Sequence, residues 1–469
     1  MAIDSGDTAF VLICGALVLF MTPGLAYLYA GGSNNRNNIM HTIMSSFVAF
    51  PIVTIQWFIW GFSLVFSSAD NTYIGNLNYA GMHNVFNIAT GYPTDKTVPI
   101  MAFCFFQMMF AVITPAIIFS GAAERIKMGP FMIILFVWAT IVYDPIAYWA
   151  WNPNGWFFKN KGLDTAGGMA VETASGFASL AMALALGPRK NKTKGSINTP
   201  MVSLGGAILW FGWIGFNAGS VGAANARAAN AAFVTHLSGS VAAATWMLLD
   251  WILHKKCGVL SIVNGAVAGL VCITPACGYV QPASALAFGV VSAVASFTAF
   301  RWRKRFVDDP FDAFACHGVS GFIGMLLTGV FAEKKVMDVD GSLNLPGGWI
   351  DHHYIQLAWQ CAGAVSAAAY SFGMTFIIVK VIMYIAKLAG TSIIHEDQNN
   401  IDDIELGENA QQFLEPNKYF SEVHHKKEKK PIAMKDKIVI GAETKQTVQI
   451  TEATATQDVI ATQEVVASE

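Results

Sequence analysis

Eleven apolar runs dominate this 469-residue sequence. Most are about twenty residues long, the length an α-helix needs to cross the ~30 Å hydrocarbon core of a bilayer. They are expected at roughly 8–31, 42–66, 98–123, 129–150, 165–187, 200–220, 228–253, 258–275, 280–300, 314–331 and 355–386. Composition agrees, since 54% of residues are hydrophobic and only 13% are charged; a soluble chain carries roughly twice that charged share. The fold class is therefore an all-α polytopic membrane protein. The 42 glycines, with abundant Ala and Ser, suit close helix packing in lipid. A formal net charge of -2 gives no reason to expect a nucleic-acid partner.

The loops between spans alternate sides. The side holding Arg36, Arg125, Lys127, Arg189, Lys190, Lys192, Lys194, Lys255, Lys256 and the Arg301–Arg305 cluster carries 13 basic residues, and the opposite side carries six. Such an excess marks the cytosolic face. The N-terminus is expected outside and the C-terminus in the cytosol, which an odd number of spans permits. The first run lacks a basic n-region, so no cleavable leader is expected.

Two stretches look like copies of each other. Asp164 to Phe177 and Asp309 to Phe322 both read as an Asp, seven residues, an ionisable residue, two residues and Ser-Gly-Phe. The ionisable residues are Glu172 and His317. Spans 1–5 and 6–10 are therefore expected to be inverted repeats, because five spans reverse the second copy. A fainter echo links Tyr29-Ala30-Gly31-Gly32 to Asn217-Ala218-Gly219-Ser220, where chance among small residues is the competing explanation. Span 11 has no counterpart and is expected to be a long peripheral helix, tilted across the outside of the bundle.

Ionisable residues inside a span are costly and by default functional. Glu172 and His317 at matched positions point to one shared site. The competing readings are a side chain facing a watery loop end or a polar pair that only fixes packing. Burial disfavours both charges and mutual attraction favours them, so such a pair can share a proton and pass it on. Phe106 and Phe110 lie in span 3, Trp151 just after span 4, and Trp213 and Phe216 in span 6. Aromatic faces attract cations, although aromatics near span ends more often form an interfacial belt. Asp164, just before span 5, reads first as a helix cap, as does Asp309 before span 10.

Other chemistry is not signalled. No GxxxxGK[ST] loop, HExxH motif or Ser/His/Asp arrangement is present, so neither an ATP motor nor an enzyme is expected, and no cofactor. The seven Cys lack a CxxC pair and read as core filler, with no metal site expected. From about Lys387 the chain turns polar. It carries a basic run at Lys426-Lys427-Glu428-Lys429-Lys430 and closes on a short repeat, 455–460 against 461–466. Residues 1–386 are thus expected to form the membrane domain and 387–469 a cytosolic tail, disordered beyond about 413. The basic run reads as solvated charge, with contact to anionic lipid as the alternative.

At these residues the sequence resembles the ammonium transporter family (Amt/Mep, with the Rhesus glycoproteins as cousins), over about residues 8–410. The motifs are Leu163 to Gly168, Gly212 to Ser220, Gly121 to Arg125 and Asp312 to Gly318, with Asp402 to Ala410 resembling the family's regulatory tail. The resemblance implies ammonium recruitment at Trp151, Phe106 and Ser220, held and tuned by Asp164. It implies a stacked gate at Phe110 and Phe216, Trp213 lining the pore, and regulatory positions at Asp402, Gly407 and Glu408. His317 matches the second of the family's twin pore histidines. Glu172 stands where the first would be, a Mep-like variant that favours a Glu–His pair over a His–His pair. A homotrimer in the plasma membrane, with one pore per subunit, is also implied, as is regulation by a cytosolic partner or kinase acting on the tail. The expected function is ammonium transport, in which recruited ammonium loses its proton and ammonia crosses, with or without a separate proton. The alternatives are an ammonium sensor signalling through the tail, a neutral gas channel, and a membrane enzyme using Glu172 and His317 as acid and base.

Overall fold

The computed structural model describes residues 2–87, 97–190, 197–303, 305–339, 345–408 and 410. The expected disorder of the distal tail, the basic run and the terminal repeat lie outside the described residues. Among the described residues there is no β-strand, only an isolated antiparallel bridge between Ile126 and Ile394.

Among the described residues, ten helices are long and apolar enough to cross a membrane. They are α1 (Ser5–Gly32), α2 (Arg36–Phe66), α3 (Ile100–Ala122), α4 (Met128–Lys159), α5 (Gly168–Leu186), α6 (Thr199–Gly219), α7 (Ala226–His254), α9 (Pro282–Arg303), α10 (Phe314–Phe331) and α11 (Ile355–Leu388). The eleventh expected span is the shorter α8 (Val259–Ile273). At 15 residues it rises only about 22 Å. It ends inside the protein, where Pro275 lies against Gly168 and its carbonyl accepts from the Thr165 amide. The 34-residue α11, at about 51 Å, packs on α4, α5 and α10. It leaves Val365, Ile377, Val381, Tyr384 and Leu388 facing outward, an apolar surface suited to lipid.

The duplication in the sequence is visible as reciprocal contact. A Cβ on Gly176 would stand 2.0 Å from the Gly318 amide nitrogen, and one on Gly321 would stand 2.6 Å from the Glu172 Cβ. Each glycine of a Ser-Gly-Phe copy thus crosses the other copy beside its ionisable residue. Gly176 meets the residue after His317, and Gly321 meets Glu172 and Thr173. Rising along α5 means descending α10, so the copies run antiparallel. The fainter echo holds as well. Gly31 packs on Val202 and Gly219 packs on Cys14, and the offset that carries Gly31 to Gly219 carries Cys14 to Val202.

Both copies begin with a wide, π-type turn, Gly168–Thr173 and Phe314–Val319. Both are capped by their Asp. Asp164 Oδ1 accepts from the Gly167 and Gly168 amides at 2.8 and 2.7 Å, and Oδ2 from Met169 at 2.8 Å. Asp309 Oδ2 accepts from Phe314, at the same spacing, at 2.9 Å. Its Oδ1 accepts from the hydroxyls of Ser120 and Ser179. The carboxylates satisfy orphan amides of helix starts buried away from water.

Two outcomes follow. Gly176→Val should cost at least about 3 kcal/mol, because the obstructing atoms are backbone and cannot swing aside. Thermal denaturation in detergent should show it, with Gly129→Val, which meets nothing within 4 Å, melting like the parent. Asp164→Ala should cost about 2–4 kcal/mol by stranding buried amides, and Asp164→Asn should recover part of that in the same assay.

Candidate functional site

The turns that open α5 and α10 bring the two matched ionisable residues together at the centre of the bundle. His317 Nδ1 lies 2.8 Å from Glu172 Oε2, and the two residues are 4% and 1% exposed. They face neither a watery loop end nor the outside of the bundle. Each sits in a π-type turn, an irregularity that places side chains off the regular helical stripe.

A file of aromatic rings leads to this pair. Trp151 meets Phe110 edge-on at 6.0 Å between centroids. Phe106 tilts against Phe110 at 4.9 Å, and Phe110 lies 4.1 Å from Phe216. At that separation the two rings are in contact and leave no space for an ion between them. Phe216 continues to Trp213 at 5.7 Å, and Trp213 lies nearly parallel to the His317 ring at 6.4 Å. Trp213 is held by its Nε1, which donates to Thr274 Oγ1 at 2.9 Å, so the early end of α8 fixes a ring beside the pair. Trp151 Nε1 donates to the Asp164 carbonyl at 3.1 Å, tying the outermost ring to the cap of α5. Ser220 joins the set through its neighbour Gly219, which packs on the Phe106 ring. Its hydroxyl donates to the Phe216 carbonyl at 2.8 Å, leaving lone pairs able to accept from a ligand. Burial pushes the Asp164 carboxyl up to about 6, against the backbone amides of Met169, Gly167, Gly168 and Ala170, which favour its charged form.

On the side of the tail, a cavity of about 130 Å³ reaches His317, lined among others by Tyr29, Asn264, Val267, Phe311 and Asp312. Tyr29 and Phe311 stack across it at 4.8 Å. The pair therefore stands between a closed stack of rings and a chamber of mixed lining.

The tail positions are placed differently. Asp402 is buried and caps the first regular turn of α2, accepting from the His41 amide at 2.8 Å and the Met40 amide at 3.1 Å. Gly407 adopts φ +65° just after a π-type turn, Asp402–Leu406. Glu408 is exposed. Around them, Gln398 and Asn399 carbonyls accept from Asn35 and Asn38, and the Ile393 carbonyl accepts from the Lys127 amide. The segment 391–408 is thus pinned to the loops that precede α2 and α4.

Several polar sites escaped the sequence reading. Asp144, buried in α4, accepts from Gln56 Nε2 at 2.7 Å. Arg125, noted as a loop charge and in the Gly121 to Arg125 motif, and Arg189, counted as a loop charge, join a largely buried cluster with Asp308 and Glu124. Burial disfavours the charge on Asp308, yet the hydrogen bonds and charge of Arg189 hold its carboxyl down to about 2, so the cluster stays ionised near neutrality. Their partners lie on distant loops, and local spacing carries no sign of them.

Known proteins are similar to this chain in sequence and fold. The model of the Ammonium Transporter Family matches residues 9–411. Ammonium transporter 1 of Schizosaccharomyces pombe is 43% identical over 414 residues, covering 87% of this chain and 82% of the relative. Ammonium transporter MEP2 of Saccharomyces cerevisiae is 37% identical over 420 residues, covering 86% and 83%. Among solved structures, Candida albicans Mep2 superposes with a TM-score of 0.77 at 37% identity, over 84% of this chain and 87% of that one. The all-helical fold and the crossed, antiparallel halves are thus those of a group of membrane transporters, and the chain belongs to the ammonium transporter family.

Proposed function

We propose that this chain moves ammonium across the plasma membrane as a homotrimer with one pore per subunit, N-terminus outside and C-terminus in the cytosol. The observation that carries the reading is the unbroken file of rings from Trp151 through Phe110, Phe216 and Trp213 to the buried Glu172–His317 pair. The basic loops on the tail side support the orientation.

Ammonium and potassium are close in size, so a ring of aromatic faces discriminates poorly by itself. Ammonium differs in donating directional hydrogen bonds and in being able to lose a proton. Trp151 and Phe106 hold the cation by its charge, a contact of about 1–2 kcal/mol as water is removed, while Ser220 accepts an N–H. Asp164 holds Trp151 in place through its own carbonyl. Phe110 and Phe216 exclude a hydrated ion and must part for passage. Past the gate ammonium hands its proton to the Glu172–His317 pair, which leaves neutral ammonia. Ammonia crosses the apolar lumen past Trp213, because a neutral molecule loses far less on leaving water than an ion does. The proton crosses separately through Glu172 and His317, and transport is electrogenic.

A second reading, an ammonium sensor, is favoured by the docked tail. The region near 387–413, with Asp402, Gly407 and Glu408, is the regulatory part of either device and the place where a cytosolic regulator or kinase would act. A neutral gas channel is disfavoured, since a neutral gas needs no cation-holding rings.

Glu172→Leu and His317→Ala should each lower ammonium current by about a hundredfold, measured by two-electrode recording across pH. Unchanged current and selectivity in both would remove the pair from the mechanism. The double variant Phe110→Ala/Phe216→Ala should erode discrimination of ammonium against potassium in the same recordings. Chains ending at Gly390 separate the two readings: retained flux with lost signalling favours the sensor, whereas lost flux favours a regulated transporter.

A further inference from the structure

The docked tail closes on a group of side chains that the transport reading does not use. His41 is fully buried near the start of α2. Its Nε2 lies 3.3 Å from Glu405 Oε2 without the alignment of a hydrogen bond. Its Nδ1 has no hydrogen-bond partner among the described residues. A buried imidazole with neither nitrogen satisfied is costly. His395, also buried, brings Nε2 to 2.7 Å from the same Glu405 oxygen. One ligating atom from each of the three residues lies within 4.8 Å of the other two.

The backbone holds all three from behind. The His41 amide donates to Asp402 Oδ1 at 2.8 Å, and the His395 amide donates to the Arg125 carbonyl at 2.8 Å. Glu405 Oε1 accepts from the Met128 amide at 2.6 Å, leaving Oε2 for the imidazoles. Outer contacts of this kind orient ligands at metal centres. Two imidazoles and one carboxylate suit a borderline divalent ion. Such an ion takes nitrogen and oxygen at about 2.0–2.2 Å in a tetrahedron, which spaces ligand atoms about 3.3–3.5 Å apart. The His41–Glu405 separation already matches. The His395–Glu405 contact, at 2.7 Å, has to open by about 0.6–0.8 Å. Calcium and magnesium are poor candidates, since they favour oxygen sets.

We propose that His41, His395 and Glu405 form a binding site for a divalent transition-metal ion of the zinc type, which fastens the tail segment 391–408 to the membrane body. The ion's three protein ligands come from the start of α2 and from two places in the tail, so binding and tail docking are linked. A free tail offers His395 and Glu405 alone, and the third ligand exists only when the tail is seated. Binding the docked form preferentially therefore stabilises docking in proportion to metal concentration.

The test uses the purified full-length protein in detergent, stripped of metal and titrated with zinc chloride by calorimetry and with cobalt chloride by visible absorption. One equivalent per chain is expected, with the intense d–d bands of tetrahedral cobalt. Hydrogen exchange over 391–408 should slow when zinc is added. His41→Ala and His395→Gln should each weaken binding by at least about tenfold. The Gln variant keeps a donor for Glu405, so it separates metal loss from loss of fold, as does an unchanged size-exclusion profile. No zinc binding, the weak bands of octahedral cobalt, or equal affinity in parent and variants would overturn the proposal and leave only a hydrogen-bonded His–Glu cluster.

Discussion

Two backbones touching where side chains are missing is the contact on which this molecule depends. Gly176 lies on Gly318 and Gly321 lies on Glu172, so α5 and α10 approach as closely as main chains allow. That proximity is what lets a short carboxylate on one helix reach an imidazole on the other. Any side chain at either crossing would push the helices apart by more than a hydrogen bond can tolerate. The Asp caps serve the same end, since both helices start inside the protein, where unsatisfied amides would otherwise stand in a dry interior. Close packing, capping and the meeting of Glu172 with His317 form one arrangement.

The electrostatics of the centre rest on competing magnitudes. An isolated charge in such surroundings costs several kcal/mol, and a well-formed partner offsets much of that. Removing either partner strands the other, so the pair is sensitive to substitution whatever its task. The neighbouring rings and the burial of both residues limit the water that would otherwise screen it. The same principle recurs near the tail, where the buried Arg125 and Glu124 meet the part-buried Arg189 and Asp308. There the charges join loops, while at the centre they join two helices.

Much of this was legible in the sequence because lipid imposes one-dimensional rules. A span is a run of given length, and a repeat recurs at a fixed offset. Glu172, His317 and the Asp caps stood out since each copy made the other conspicuous. The early end of α8 was not legible, because apolar residues continue past Ile273 into Ala276 and Cys277, which are buried turns. The Gln56–Asp144 bond joins residues 88 apart, with no local pattern to announce it. The cluster around His41 was invisible for the same reason: its members come from opposite ends of the chain and meet only when the tail folds back. Positions of the aromatic file were named from likeness to relatives, and their rings meet in an order that spacing alone does not encode.

The reciprocity of the two halves carries a further consequence. Five helices by themselves would present Gly176 and Glu172, or Gly321 and His317, as a bare groove with a polar group facing hydrocarbon. Neither piece is a viable membrane protein on those terms. Two identical halves packed head to tail would set the same residue against itself at the crossing, so an acid facing an imidazole requires halves that differ there.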